Sequence, residues 1–180
     1  MTLQESGPAA TTEPDVVLRD YDARGDREEV IRCVAALQDF ERRLEPALPP
    51  GERIARRYVE AMLQRCSAYE GRVFVAEAQA AIVGFVCVLA RVPEASTDAY
   101  ARPHAAIGEL FVEPAHRGTG VGRRLLARAE THARVRGADR LRVQVLAAND
   151  GARDLYHDFG FRDRLVELEK PLGPPPQRGA

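Results

Sequence analysis

Leu110–Glu130, LFVEPAHRGTGVGRRLLARAE, changes character at its middle. A short apolar run ends at Pro114, and glycines follow at Gly118, Gly120 and Gly122. An amphipathic segment then carries Val121, Leu125, Leu126, Ala129 and Ala133 at helical spacing. The stretch reads as a strand, a glycine-rich turn and a helix. Glycine has no Cβ to keep the backbone away from a ligand, and the N–H groups that open a helix carry about half a positive charge, so the unit is a candidate anion site.

Upstream of this unit, VVLRDY (Val16–Tyr21) reads as a strand, and Gly25-Asp26 leads into a helix with Val30, Val34, Leu37, Phe40 and Leu44 on one face. EPALPPG stops it. A second helix from Glu52 to about Tyr69 carries Ile54, Tyr58, Ala61, Met62 and Leu63, and Gly71 ends it. RVFVAEA and AIVGFVCVLARV flank a tight turn near Gln79-Ala80, as in an antiparallel hairpin. The polar, proline-bounded PEASTDAYARPH (93–104) is a surface loop, and AAIGELFV is the strand that enters the glycine turn. Downstream come a helix to about Arg136, the strand LRVQVLA, the helix DGARDLYHDFG and a last strand within FRDRLVELEK. The order β-α-α-β-β-β-α-β-α-β is that of a single mixed α/β domain over residues 15–170, with an antiparallel front half and a right-handed crossover behind the glycine turn. Where two strands splay at their C-terminal ends, the crevice suits an extended ligand. Residues 1–14 and the proline-rich 171–180 are read as disordered tails.

Composition narrows the function classes. The 180 residues are 45% hydrophobic, and 26 basic against 27 acidic residues leave a formal net charge of −1. That balance argues against a dedicated nucleic-acid or anionic-membrane surface. No run approaches the roughly 18 apolar residues of a membrane span, and MTLQESGPAATTEPD has neither a basic nor an apolar leader region, which points to the cytoplasm. Cys33, Cys66 and Cys87 lie far apart, as do His104, His116, His132 and His157, so no metal site is expected.

The glycine turn fits two common phosphate loops poorly. A Walker loop needs a lysine after its last glycine, and Lys170 is the only lysine in the chain. A Rossmann turn is GxGxxG with an acidic residue ending the next strand, whereas Gly118-x-Gly120-x-Gly122 has the wrong spacing and Asp139 precedes that strand. What remains is Arg117-x-x-Gly120-x-Gly122 directly after FVEP, where glycine N–H groups and Arg117 could meet a diphosphate.

LFVEPAHRGTGVGRRLL resembles the acetyl-CoA motif of the GNAT superfamily of N-acetyltransferases, [RQ]xxGx[GA] after a strand ending in a V-x-P-like turn. VLAANDGARDLYHDFGF resembles that superfamily's closing segment, with Asn149, Ala152, Leu155, Tyr156, Gly160 and Phe161 in register. The resemblance covers about residues 15 to 170 and implies a GNAT-like mixed central sheet. It implies acetyl-CoA as co-substrate without a metal, and cofactor contacts along Leu110, Phe111 and Val112. Further cofactor contacts are implied at Arg117, Gly118, Thr119, Gly120, Val121, Gly122 and Arg123, and at Asn149. The first two helices and the 93–104 loop, where such proteins choose their acceptors, match no particular subgroup.

Two catalytic roles follow from the resemblance. An amine is protonated at neutral pH and must lose a proton before it attacks a thioester. Glu109, on the strand leading to the glycine turn, is the implied base, with a solvent-facing strand residue as the plainer reading. Tyr156 matches the tyrosine that serves the departing thiolate; from a phenol near 10 to a thiol near 8.5 full proton transfer is uphill by roughly 2 kcal/mol, so a hydrogen bond is the more economical role. The plainer reading of Tyr156 is a packed aromatic on the face Ala152, Leu155, Tyr156, Phe159, and that of Asn149 is an N-cap bonded to the N–H of Ala152. His116 and His157 are read as solvated, and so are Asp39, Glu41, Glu45, Glu94 and Asp98, although the acidic set could meet a cationic acceptor. The expectation is an N-acetyltransferase acting on a small-molecule or protein amine without a covalent enzyme intermediate, with a homodimer left open. The alternative is a non-catalytic acyl-CoA-binding regulatory module.

Overall fold

The computed structural model describes residues 15–94, 102–170 and 173. The expected tails at 1–14 and 171–180 and loop residue Asp98 lie outside these, apart from Gly173. Five strands, β1 (Val17–Asp20), β2 (Arg72–Ala78), β3 (Ala81–Val92), β4 (His104–Val112) and β5 (Leu141–Val143), form one sheet in chain order. Neighbours from β1 to β4 are antiparallel and β4–β5 is parallel. Four helices, α1 (Arg27–Leu44), α2 (Gly51–Ala68), α3 (Val121–Val135) and α4 (Asp150–Phe159), cover it.

The burial of β3 explains the layering. Every residue from Ile82 to Ala90 is buried, because the strand is central and both its faces are covered. On one face Phe85, Cys87 and Leu89 join Val30, Cys33 and Val34 of α1 and Ala55, Val59, Met62 and Cys66 of α2. On the other, Val86 and Val88 join Leu125, Leu126 and Ala129 of α3 and Tyr156 of α4. The β2–β3 turn forms as expected, with positive φ at Gln79 (51°) and Ala80 (62°), the backbone that matches the twist of a two-residue hairpin.

Asp26 starts α1 in an unexpected way. Only 6% exposed, it does not cap the helix with its side chain. Its carboxylate accepts two bonds from the Arg19 guanidinium of β1, at 2.6 and 2.9 Å, and one from the N–H of Asp22 at 2.7 Å. The helix is thereby tied to the edge strand.

Two features differ from the sequence reading. The strand expected over LRVQVLA is paired only at Leu141–Val143, and the last strand expected within 161–170 is not formed. The second follows from the first: a strand needs an edge to pair with, and β5 offers none past Val143. Leu165, Val166 and Leu168 are accordingly 80%, 76% and 90% exposed. No helix among the described residues is long and apolar enough to cross a membrane.

Candidate active site

The site begins with an irregularity in β4. Ile107 pairs with Val88, but the next pair toward the C-terminus is Glu109 with Cys87, so Gly108 is an extra residue. Side chains alternate along a strand, and one extra residue reverses which face the remainder presents. Ala105 and Ile107 point to the α3 face, whereas Phe111 packs on the α1–α2 face and Leu110 and Val112 take over the α3 side. Glu109 therefore faces α1 and α2. The same stretch of β4 has lost its other neighbour, since β5 pairs only with Ala105, Ala106 and Ile107. From Gly108 onward that edge has no strand partner among the described residues, so β4 and β5 part there on the side of the glycine turn.

Glu109 is not a solvent-facing strand residue. It is half-buried, and burial pushes its carboxyl up to about 7, with the nearby charge of Glu41 acting the same way. The Tyr58 hydroxyl donates to Oε1 of Glu109 and, with the positive field of Arg65, pulls in the opposite direction. A carboxyl with this value is partly ionised at neutral pH and can take a proton there. Tyr156, from α4, is 7% exposed and stacks edge-on against Phe161, with ring centres 5.5 Å apart. Burial first, then the charges of Glu109 and Glu41, push its phenol up to about 12. Its hydroxyl stays protonated across any working pH. The aromatic packing that its plainer reading expected is therefore present.

The glycine turn separates into parts. Gly118 (φ 76°) and Gly120 (φ 82°) are left-handed, and a Cβ at either would meet no heavy atom within 4 Å, so the space above both is open. An open cradle of this kind fits a diphosphate received by backbone N–H groups at the start of α3. Gly122 differs: a Cβ there would lie 3.2 Å from Leu155 Cδ2 and 3.7 Å from Val112 Cγ2, so its smallness lets α3, α4 and β4 close together. Val121 is buried, and Phe111 packs against Phe85 with ring centres 6.5 Å apart, so both offer a ligand their backbone only.

The neighbouring polar residues already have partners. Arg117 Nε donates to the Val112 carbonyl at 2.9 Å, and its guanidinium lies 5.1 Å from the centre of the Phe40 ring. Thr119 Oγ1 donates to the His116 carbonyl at 2.7 Å. Arg123 donates to the Asp158 carbonyl at 3.2 Å and lies over Phe159, joining α3 to α4. Asn149 Oδ1 accepts from the Ala152 N–H at 3.1 Å and caps α4, as its plainer reading expected. His157 turns to Asp163, 3.0 Å away.

The acidic set divides as well. Asp39 accepts from the Gly51 N–H at 2.7 Å and caps α2, and Glu94 makes two bonds with Arg142, at 2.9 and 2.6 Å. The Glu41 carboxyl has no hydrogen-bond partner among the described residues, and burial holds it above the usual range. It extends the inward stripe Val30, Val34, Leu37 of α1 and adds charge to the Glu109–Tyr156 region. Tyr58 and Arg65, two turns apart on one flank of α2, were not singled out as functional by sequence. Cys33, Cys66 and Cys87 are buried free thiols, and among the described residues no three His, Cys, Asp or Glu side chains could hold a metal ion together.

Comparison with known proteins bears on the family and the fold. Residues 34–161 match the profile of a family described as "Acetyltransferase (GNAT) family". A mycothiol acetyltransferase of Thermobispora bispora is 35% identical over 98 residues, 53% of this chain and 31% of that one. A thialysine N-epsilon-acetyltransferase of Bos taurus is 36% identical over 61 residues, 34% and 35% of the two chains. The chain therefore spans less than half the length of these curated relatives. Among solved structures, AAC(6')-Iy in complex with the bisubstrate analog CoA-S-monomethyl-acetylneamine superposes with a TM-score of 0.62 at 19% identity, covering 87% of this chain and 98% of that one. At that identity the likeness concerns the fold.

Proposed function

The chain belongs to the acetyltransferase (GNAT) family, and from that membership we propose that it moves an acetyl group from acetyl-CoA to a primary amine by direct attack. The observation that carries this reading is Glu109: a desolvated carboxyl near 7, turned by the extra residue Gly108 into the acceptor side of the β4 crevice. Burying a carboxyl without a bonded cation costs stability, and a base poised near neutral pH is a reason to keep it.

Acetyl-CoA supplies an activated thioester carbonyl. The residues present fit it: the open cradle of Gly118 and Gly120 suits its diphosphate, and the unpaired edge of β4 from Gly108 to Val112 suits its extended arm. Arg117 and Arg123 add positive charge beside the cradle. Glu109 takes a proton from the acceptor ammonium, directly or through one water, and the freed nitrogen lone pair forms the new C–N bond. As the C–S bond breaks, its electron pair goes to sulfur, and the Tyr156 hydroxyl donates a hydrogen bond to the charge that develops there. Glu41 and Glu109 give the acceptor side negative character, which suits a cation. The names of the relatives suggest thialysine and neamine as first acceptors to try.

The test is release of CoA thiol when the purified chain meets acetyl-CoA and that panel. Thiol release that depends on an amine supports the reading. Binding of acetyl-CoA with no release across a broad amine panel would favour the non-catalytic module.

A further inference from the structure

Tyr58 lies on α2, away from the stripe Gly51, Ala55, Val59, Met62 and Cys66 that buries the helix against the sheet. The residue is 36% exposed, and its hydroxyl reaches across to Glu109 on β4. Oε1 of Glu109 accepts that hydroxyl, whereas Oε2 makes no hydrogen bond among the described residues. A carboxylate free to rotate about its last torsion would present either oxygen to an incoming amine; a single donor at one oxygen removes that freedom.

We propose that Tyr58 is a positioning residue for acetyl transfer, holding Oε1 of Glu109 toward α2 so that Oε2 meets the acceptor amine. The proposal rests on the reading of Glu109 as the base. Several groups face Glu109: Glu41 from α1, Tyr58 and Arg65 from α2, Cys87 from β3, and Tyr156 from α4. Glu41 repels its negative form and burial disfavours it, while Arg65 and the Tyr58 hydroxyl favour it. The phenol of Tyr58 is itself held far above its ordinary value by burial and by the charge of Glu109. It is thus a fixed donor throughout the range in which Glu109 titrates. Deleting the hydroxyl removes a bond made chiefly to the charged carboxylate, so Glu109 should hold its proton to higher pH.

The experiment is a pH titration by NMR of the full chain labelled with ¹³C at glutamate carboxyls, as parent, Tyr58→Phe and Glu109→Gln, the last identifying the Glu109 resonance. Phenylalanine keeps the ring and its packing. The Glu109 titration in Tyr58→Phe is expected to move up by about one on the pH scale. With acetyl-CoA and the most active amine of the panel, kcat/KM should fall more than about fivefold at pH 7 and stay about threefold or more below the parent at pH 9, where Glu109 is ionised in both proteins and only its orientation differs. An unmoved Glu109 titration overturns the inference, as does recovery of the full parent rate at pH 9. If Glu109→Gln retains the parent's acid limb, the base reading fails, and the positioning role falls with it even where the NMR titration moves.

Discussion

Glu109 stands opposite Cys87 across the β3–β4 ladder only because Gly108 has no partner there. Were Gly108 paired with Cys87 instead, Glu109 would fall opposite Val86 on the α3 face, near Leu125 and Leu126. The local break in register is what separates a carboxylate facing α1 and α2 from one buried in an apolar layer.

With Glu109 near 7, kcat/KM of the parent should fall about tenfold per pH unit on the acid side of that value, and Glu109→Gln should be slow and lack this limb. Stability moves the other way. A carboxyl raised above its unfolded value of 4.5 contributes stability that is full below pH 4.5 and lost as pH rises through about 7. Glu109→Gln should therefore be more stable than the parent at pH 8, by on the order of 1–3 kcal/mol in urea unfolding. Equal stabilities at pH 8 would contradict the desolvation of this residue.

Tyr156→Phe keeps the ring against Phe161 and deletes the hydroxyl. Stability should change by less than about 1 kcal/mol. Loss of one hydrogen bond to the developing thiolate should slow kcat roughly 30- to 1,000-fold with acetyl-CoA affinity little altered, because that bond strengthens only in the transition state. Turnover within about threefold of the parent would leave Tyr156 as a core aromatic.

Gly120 and Gly122 should respond differently. Gly120→Val places a β-branched residue at φ 82°, costing roughly 1–2 kcal/mol, and its side chain enters the open cradle, so calorimetry should find acetyl-CoA binding abolished in a folded protein. Gly122→Ala presses on Leu155 and should lower stability slightly while binding persists.

Asp26→Ala leaves Arg19 with Glu77 as its remaining acidic partner and removes the anchor of the Asp22 N–H. A loss of about 2–4 kcal/mol is expected by urea unfolding. The Arg19 hydrogen bond holds the Asp26 carboxyl below its ordinary 3.8, so the stabilisation is present above that value and disappears as pH falls further.

Local signals made much of this legible before folding. The glycine turn, the Asn149 cap and the Gln79–Ala80 hairpin are each set within a few residues, and each formed where expected. Tyr156 was singled out through the resemblance of its segment to a known one, and the helix expected there forms as α4. Tyr58 escaped because its partner is 51 positions away and helical spacing alone makes it one more aromatic on an amphipathic helix. Glu41 looked like a surface charge, since only the packing of α1 shows that its stripe continues inward. FRDRLVELEK has a strand-forming composition, but pairing requires an edge that β5, at three residues, does not extend to it.

The brevity of β5 also sets how the molecule opens. Three pairs hold it to β4, while β3 is laddered on both sides and buried from Ile82 to Ala90. Amide protons of Leu141–Val143 should exchange with solvent deuterium through small local openings, long before those of β3, which require the whole sheet to come apart. The β5 edge of the sheet can then open on its own while β3 and the part of β4 laddered to it stay closed.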